Sequence, residues 1–187
     1  MSPNPTILLA RAAQSLAAGR HADAISPLAG AARAHPTSAS IQHDLGVAYL
    51  ETGRLPEAIA ALQRAVTLNP RFARAFLKLG HALESQGNQA EAIEAYQSAA
   101  ELVPALTEAQ YRAGDLLEAS GDIREAIAHF RRGGLSTPKS TLSRICAARA
   151  LLAENRTMEA ERTLRQALLL DPENALALEL LARLSGS

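Results

Sequence analysis

The sequence is poor in aromatic residues, has one cysteine and carries no net charge, and each of these features excludes a class of protein. Aromatic residues make up 3% of the 187 residues, and tryptophan is absent. The lone cysteine, Cys146, can form neither an internal disulfide nor a cysteine-rich zinc site, so we expect it to pack as a small side chain. Basic and acidic residues number 19 each, which leaves no positive excess to neutralise nucleic-acid phosphates. We therefore expect no nucleic-acid partner.

Long apolar runs and catalytic motifs are also missing. The apolar stretch 7–10 ends at Arg11, so we expect no secretory signal, no membrane span and a cytoplasmic location. No glycine-rich phosphate loop and no serine elbow occurs. The sequence therefore predicts a protein that is not an enzyme and that needs no cofactor.

What the sequence does have is a period of 34 residues in its prolines, its glycines and the alanines that follow an acidic residue. These are Pro36, Pro70, Pro104, Pro138 and Pro172, then Gly19, Gly53, Gly87 and Gly121, then Ala24, Ala58, Ala92, Ala126 and Ala160. A domain with one core needs no such register, whereas stacked units must turn and pack at the same place in every copy. The period predicts a repeat architecture.

Each unit has the pattern of two helices joined by a tight turn. In residues 73–104 the apolar spacing is helical up to Gln86, breaks at Gly87 and resumes after Asn88. Gly87 suits a left-handed residue at the end of the first helix, and Asn88 with Glu91 has the spacing of a capping box. Small residues recur in the first helices at Ala12, Gly46, Gly80, Gly114, Ala148 and Ala182. We expect them to mark close approach of the second helix, with the recurring alanines of that helix facing them.

This unit resembles the tetratricopeptide repeat (TPR), which has the same period and similar small and apolar positions. The strongest copy runs Leu45-Gly46 to Tyr49, then Gly53, Ala58, Leu62, Ala65 and Pro70; the family's tryptophan position holds Leu8, Gln42, Phe76, Gln110 and Arg144. The resemblance implies an all-α, right-handed α-solenoid of helix-turn-helix repeats. Its repeats would be 5–36, 39–70, 73–104, 107–138 and 141–172, followed by a final helix at 174–184, in a single array over 1–187.

Two places depart from a regular repeat. Pro27 lies inside a predicted helix, where it deletes a backbone hydrogen bond, so we expect a kink or a late start and a softer first repeat. Gly133 and Gly134 are expected to end the second helix of the fourth repeat early. His21, His35 and His129 fall at turn or second-helix positions and are predicted to lie on the surface.

The resemblance also implies that the first helices line a concave groove where a protein or peptide partner binds. The inner stripe lies at fixed offsets from the recurring small residues. The candidate groove residues are His43, Arg74, Lys78, His81, Tyr111, Arg112, Asp115 and Arg149. Alternatively, these charges are only solvated, or pair with each other across neighbouring helices, as Arg74 could with Glu108. No metal site is expected, since His43, His81, Glu84 and Asp115 are spread over three helices.

Three functions remain open at this point. The first is a non-catalytic scaffold that binds a peptide or a partner helix in the groove. The second is the non-catalytic N-terminal TPR region of a larger bacterial enzyme, such as a sulfotransferase or glycosyltransferase. The third is a homo-oligomeric array that self-associates through its terminal helices, because residues 175–184 are apolar on most sides.

Overall fold

A computed structural model describes residues 4–136 and 141–185. These residues form eleven α-helices and no β-strand. The helices are α1 Pro5–Ala17, α2 His21–Ala34, α3 Ala39–Glu51, α4 Leu55–Leu68, α5 Ala73–Gln86, α6 Gln89–Leu102, α7 Thr107–Ser120, α8 Ile123–Ser136, α9 Thr141–Ala153, α10 Thr157–Leu168 and α11 Ala175–Ser185. Their order along the chain matches the five predicted helix pairs and a final helix, and packing within a pair is present for α1 with α2, α3 with α4, α7 with α8 and α9 with α10. None of the described helices is both long enough and apolar enough to cross a bilayer.

The chain divides into two compact units. Unit 1, Met1–Ala95, contains α1 to α5 and the first half of α6; unit 2, Tyr96–Ser187, contains the rest of α6 and α7 to α11. The single array over residues 1–187 stays a prediction.

The predicted glycine turns are confirmed. Gly87 ends α5 with φ of 90°, and Gly121 ends α7 with φ of 91°. This left-handed conformation is strained for a residue with a Cβ. In the fifth repeat Asn155 takes the same conformation with φ of 60°. Asparagine is the side chain that tolerates it best, so the turn survives the loss of glycine.

The small residues of the first helices admit large side chains from the second helices. In unit 1, a Cβ on Gly46 would lie 2.5 Å from Leu62 Cγ; in unit 2, a Cβ on Gly114 would lie 2.7 Å from Phe130 Cε1. The predicted close approach is confirmed at these two positions. The atoms nearest the glycines belong to Leu62 and Phe130. The recurring Ala58 also faces Gly46, with its carbonyl oxygen 3.3 Å from the added Cβ.

Unit 1 has a core of small and medium apolar side chains. One cluster of buried residues joins the first two repeats and consists of Ala12, Ala24, Leu28, Leu45, Ala48 and Ala61. Alanine and leucine dominate because short side chains let the helices of each hairpin pack closely.

The expected early end of the second helix in the fourth repeat is wrong. Of the two alternatives expected at Pro27, the late start is wrong and the kink stays a prediction. Helix α8 runs through Gly133 and Gly134 to Ser136. Glycine at position 133 allows close packing, because an added Cβ would lie 3.0 Å from Cys146 Sγ and 3.2 Å from Gln110 Cβ. Helix α2 contains Pro27 but begins at His21, so the late start does not occur.

Candidate functional site

The first-helix face of unit 1 contains His43 on α3. This side chain is half-buried, and its Nδ1 lies 2.9 Å from Asp44 Oδ1. Its ring also lies against Phe72, with the two ring centroids 4.9 Å apart. These contacts fix the imidazole at the junction between α3 and the start of α5.

Two cations follow on α5, one helical turn apart. Arg74 is exposed and Lys78 is half-buried. In the part of the chain that the structure describes, neither side chain has an ion pair or a hydrogen bond. His81, one turn further along, is half-buried and has contacts of its own. The positive groups of Arg74 and Lys78 are therefore available to an external anion.

In unit 2 the candidate residues Tyr111, Asp115 and Arg149 lie together. Arg149 Nη1 donates to Asp115 Oδ1 at 2.5 Å and to Tyr111 Oη at 3.2 Å, and Nη2 pairs with Glu118. The guanidinium also lies over the Phe130 ring, 4.3 Å from its centroid. Arg149 thus joins α9 to α7 and α8, and it is largely occupied by its own protein.

Tyr111 belongs to the interior of unit 2 more than to its surface. Its exposed fraction is 6%, and its ring centroid lies 6.1 Å from that of Phe130. Burial raises the pKa of the phenol, and the nearby Asp115 carboxylate acts in the same direction. A partner could reach little of this side chain.

Charge pairing across neighbouring first helices does occur, as one alternative proposed, and the pairs found are Arg149 with Asp115 and with Glu118. Arg74, named in the same alternative, has no ion pair among the described residues. Arg112 is half-buried and has contacts of its own. Its role in binding, like that of the other groove residues, stays a prediction.

A hollow of about 350 Å³ lies beside Arg149 in unit 2. It is bounded by the first helices α7 and α9 and by α11, through Glu118, Arg149, Leu152, Ala153, Leu180, Arg183 and Leu184. Its lining combines three leucines with two arginines and one glutamate, a mixture of apolar and charged groups that suits an extended peptide.

The prediction that His129 lies on the surface is wrong. Its exposed fraction is 3%, and its Nδ1 lies 2.8 Å from Oε1 of the buried Gln110. Because an amide oxygen accepts, Nδ1 carries the proton. Burial lowers the pKa of His129 to about 4, and the charge of Arg132 acts in the same direction. The imidazole is therefore neutral at pH 7.

Cys146 is buried, as predicted for a packing residue. Burial raises the pKa of its thiol to about 12, so it has little thiolate character at neutral pH. Among residues 4–136 and 141–185, no group of three or more His, Cys, Asp or Glu side chains is arranged to hold a metal ion.

Comparison with known proteins gives the family of these repeats. A family model of the tetratricopeptide repeat matches residues 43–107, 77–133 and 147–185, more than half of the chain. A model of the bacterial transcriptional activator domain matches residues 6–68. None of the curated proteins matches the chain.

Several solved structures share the fold. The crystal structure of MamA is 23% identical, with a TM-score of 0.75, and the match covers 94% of this chain and 96% of that one. YrrB, described as a TPR protein with an unusual peptide-binding site, is 21% identical over 90% of this chain and 87% of its own, with a TM-score of 0.69. A tetratricopeptide repeat protein from Parabacteroides merdae is 19% identical over 97% of this chain and 72% of its own, with a TM-score of 0.79. The predicted all-α solenoid fold class is confirmed.

Proposed function

Because the chain belongs to the tetratricopeptide repeat family, we propose that it is a non-catalytic scaffold that binds a peptide or a partner helix on its first-helix face. The observation that carries the proposal is the pair of cations on α5. Arg74 and Lys78 lie one turn apart and have no partner among the described residues. YrrB, with the same fold, is described as having a peptide-binding site.

The chemistry of the face in unit 1 favours a partner with acidic and apolar side chains. Val47 and Leu50 of α3 are half-buried, so each exposes part of an apolar side chain. Carboxylates of a bound segment would pair with Arg74 and Lys78, while its apolar side chains cover the leucine and valine. In unit 2, Arg149 is already paired with Asp115 and Glu118 and contributes mainly to the stability of the surface.

A displayed library of random dodecapeptides tests the proposal. Sequences enriched on the parent protein should contain Asp or Glu beside apolar residues. They should bind Arg74→Glu/Lys78→Glu at least tenfold more weakly, while the helicity and the melting temperature remain those of the parent. The matched control is Arg11→Glu/Arg20→Glu, which makes the same change of net charge at two other exposed arginines of unit 1. Failure to enrich any sequence, or equal binding to the Arg74 and Lys78 variant, would reject this function.

Exposed leucines in unit 2 favour self-association as a second candidate function. Leu169 is 82% exposed and Leu178 is 47% exposed. A second copy of the chain could cover them. The further alternative, a non-catalytic region of a larger bacterial transferase, rests on the sequence resemblance and is tested by reading the gene beyond the codon for Ser187.

A further inference from the structure

A pocket of about 590 Å³ lies in unit 1, away from the groove residues. It is formed by α2, α3 and α4 and is lined by Ala29, Ala32, Arg33, Pro36, Gln42, Leu45, Arg64, Thr67 and Leu68. Ligand pockets in proteins have volumes of roughly 300–1,000 Å³, so this one has room for a small ligand or a few residues of a peptide.

The unusual member of the lining is Gln42. Its exposed fraction is only 5%, yet its side-chain amide has no hydrogen-bond partner among the residues that the structure describes. The amide is not among the fully enclosed polar atoms that lack a partner, so it is open to the pocket that Gln42 lines. A ligand in the pocket can therefore pair with both its N–H and its C=O groups.

The repeat register shows why the amide is unpaired. Gln110 lies two periods after Gln42 and is also buried, but it accepts a hydrogen bond from His129 at 2.8 Å. The residue two periods before His129 is Ala61, which has no polar atom in its side chain. The glutamine is thus repeated in unit 1 without its partner.

Two arginines give the pocket its charge. Arg33 and Arg64 are both exposed, line the pocket and, in residues 4–136 and 141–185, form no ion pair. The other lining residues, apart from Gln42 and Thr67, are apolar. A ligand that complements this lining has an apolar group flanked by anionic groups.

The glutamine distinguishes a peptide from a fatty acid. A side-chain amide both donates and accepts, and a peptide group offers the matching N–H and C=O. A carboxylate head group only accepts, so it would leave the Gln42 oxygen unpaired. A segment of polypeptide therefore satisfies all three features of the pocket.

We propose that this pocket binds an extended acidic segment of a partner protein. One apolar side chain of the segment packs against Ala32, Leu45 and Leu68, and its backbone pairs with the Gln42 amide. The flanking carboxylates pair with Arg33 and Arg64. This site is separate from the first-helix face and could bind a second partner at the same time.

NMR titration of the ¹⁵N-labelled full chain with the peptide acetyl-Asp-Leu-Asp-amide tests the proposal. Saturable shifts are expected at the side-chain NH₂ of Gln42 and at the backbone amides of Ala32, Leu45 and Thr67. Arg33→Glu/Arg64→Glu should weaken this binding at least tenfold, whereas Arg74→Glu/Lys78→Glu should leave it unchanged. The reciprocal pair of variants thus separates a failure here from a failure of the groove.

A cavity-filling variant gives a second, independent measurement. Gln42→Phe places in the second repeat the residue that Phe76 supplies at the same register in the third. It should abolish the shifts and leave the melting temperature equal or higher. Three results would overturn the proposal: no saturable shift at Gln42, shifts that follow Arg74 and Lys78 instead, or tighter binding of decanoate than of the peptide.

Discussion

His129 and Gln110 form a hydrogen bond of 2.8 Å between α8 and α7, and both side chains are buried. The imidazole is held neutral because its site in unit 2 offers no solvation to a positive charge, and its pKa falls to about 4. The interior of unit 2 therefore contains a group that resists protonation in the mildly acidic range.

Acid should destabilise the protein through His129. The folded state binds the proton less readily than the unfolded state, whose histidine has the ordinary pKa of about 6.5. This stability is fully present above pH 6.5 and declines as the pH falls towards 4, by about 3 kcal/mol in all at about 1.4 kcal/mol per pKa unit. Urea unfolding at several pH values measures this decline in the free energy of unfolding. The non-titrating variant His129→Gln should flatten the profile over this range, and an equally steep profile in the variant would contradict the assignment.

A methyl group at Gly114 should be destabilising even though alanine is the better helix former. The added Cβ would lie 2.7 Å from the Phe130 ring, so we expect a loss of about 1–3 kcal/mol from overpacking. The double variant Gly114→Ala/Phe130→Leu should recover most of the loss, because the first and fifth repeats have alanine and leucine at these two positions. The melting temperatures of the single and the double variant test this prediction. If the double variant is no more stable than the single one, the contact with Phe130 is not the cause of the loss.

Arg149 should tolerate lysine poorly. Lysine keeps the charge but has no planar fork to contact Asp115 and Glu118 together and to cover Phe130. We expect Arg149→Lys to lower the free energy of unfolding by about 1–2 kcal/mol. The same substitution at the exposed Arg74 is the control and should be neutral. Equal melting temperatures for the two lysine variants would show that the Arg149 contacts add no stability.

Burial of the recurring alanines predicts a sharp contrast within α4. Ala58 is fully buried and Ala60 is exposed, two residues away. Ala58→Arg should cost several kcal/mol, because it overpacks the hairpin and buries an unpaired charge. Ala60→Arg should change stability by less than about 0.5 kcal/mol. Chemical unfolding of both proteins tests the helix register, and similar losses would show that the register is wrong.

Self-association, if it occurs, should depend on the exposed leucines of unit 2. Leu169→Glu/Leu178→Glu places charge on both without touching the groove residues. Light scattering over a range of protein concentrations should show a larger mass for the parent than for the variant. A monomeric parent at high concentration would reject this function.

The helices and their turns could be predicted because each follows from a residue type at a fixed position. Glycine at the end of a first helix and a small residue in its middle give the hairpin and its register. Gly133 misled the prediction, since the same residue that weakens a helix also permits contact with Cys146. The choice between these roles depends on a neighbour that local sequence does not show.

Contacts between repeats were harder to predict because they depend on how far a side chain reaches. The sequence does contain one indication of the ion pair between Asp115 and Arg149. These residues have opposite charges and are separated by 34 residues, which is one full period. A second indication, of the hydrogen bond to Gln110, is that His129 is polar at the position where the second repeat has Ala61. The pocket at Gln42 needed coordinates, because a glutamine in place of an aromatic residue does not reveal whether neighbours fill the space.

The one-period spacing of Asp115 and Arg149 bears on how such an array can grow during evolution. A gene duplication that copied the fourth repeat after itself would put a second aspartate at the position that Arg149 now occupies beside Asp115. Two carboxylates would then lie close together near the ring of Phe130. Their electrostatic repulsion would destabilise the new interface between the repeats. Lengthening the chain at this point therefore requires a change of charge along with the extra helices.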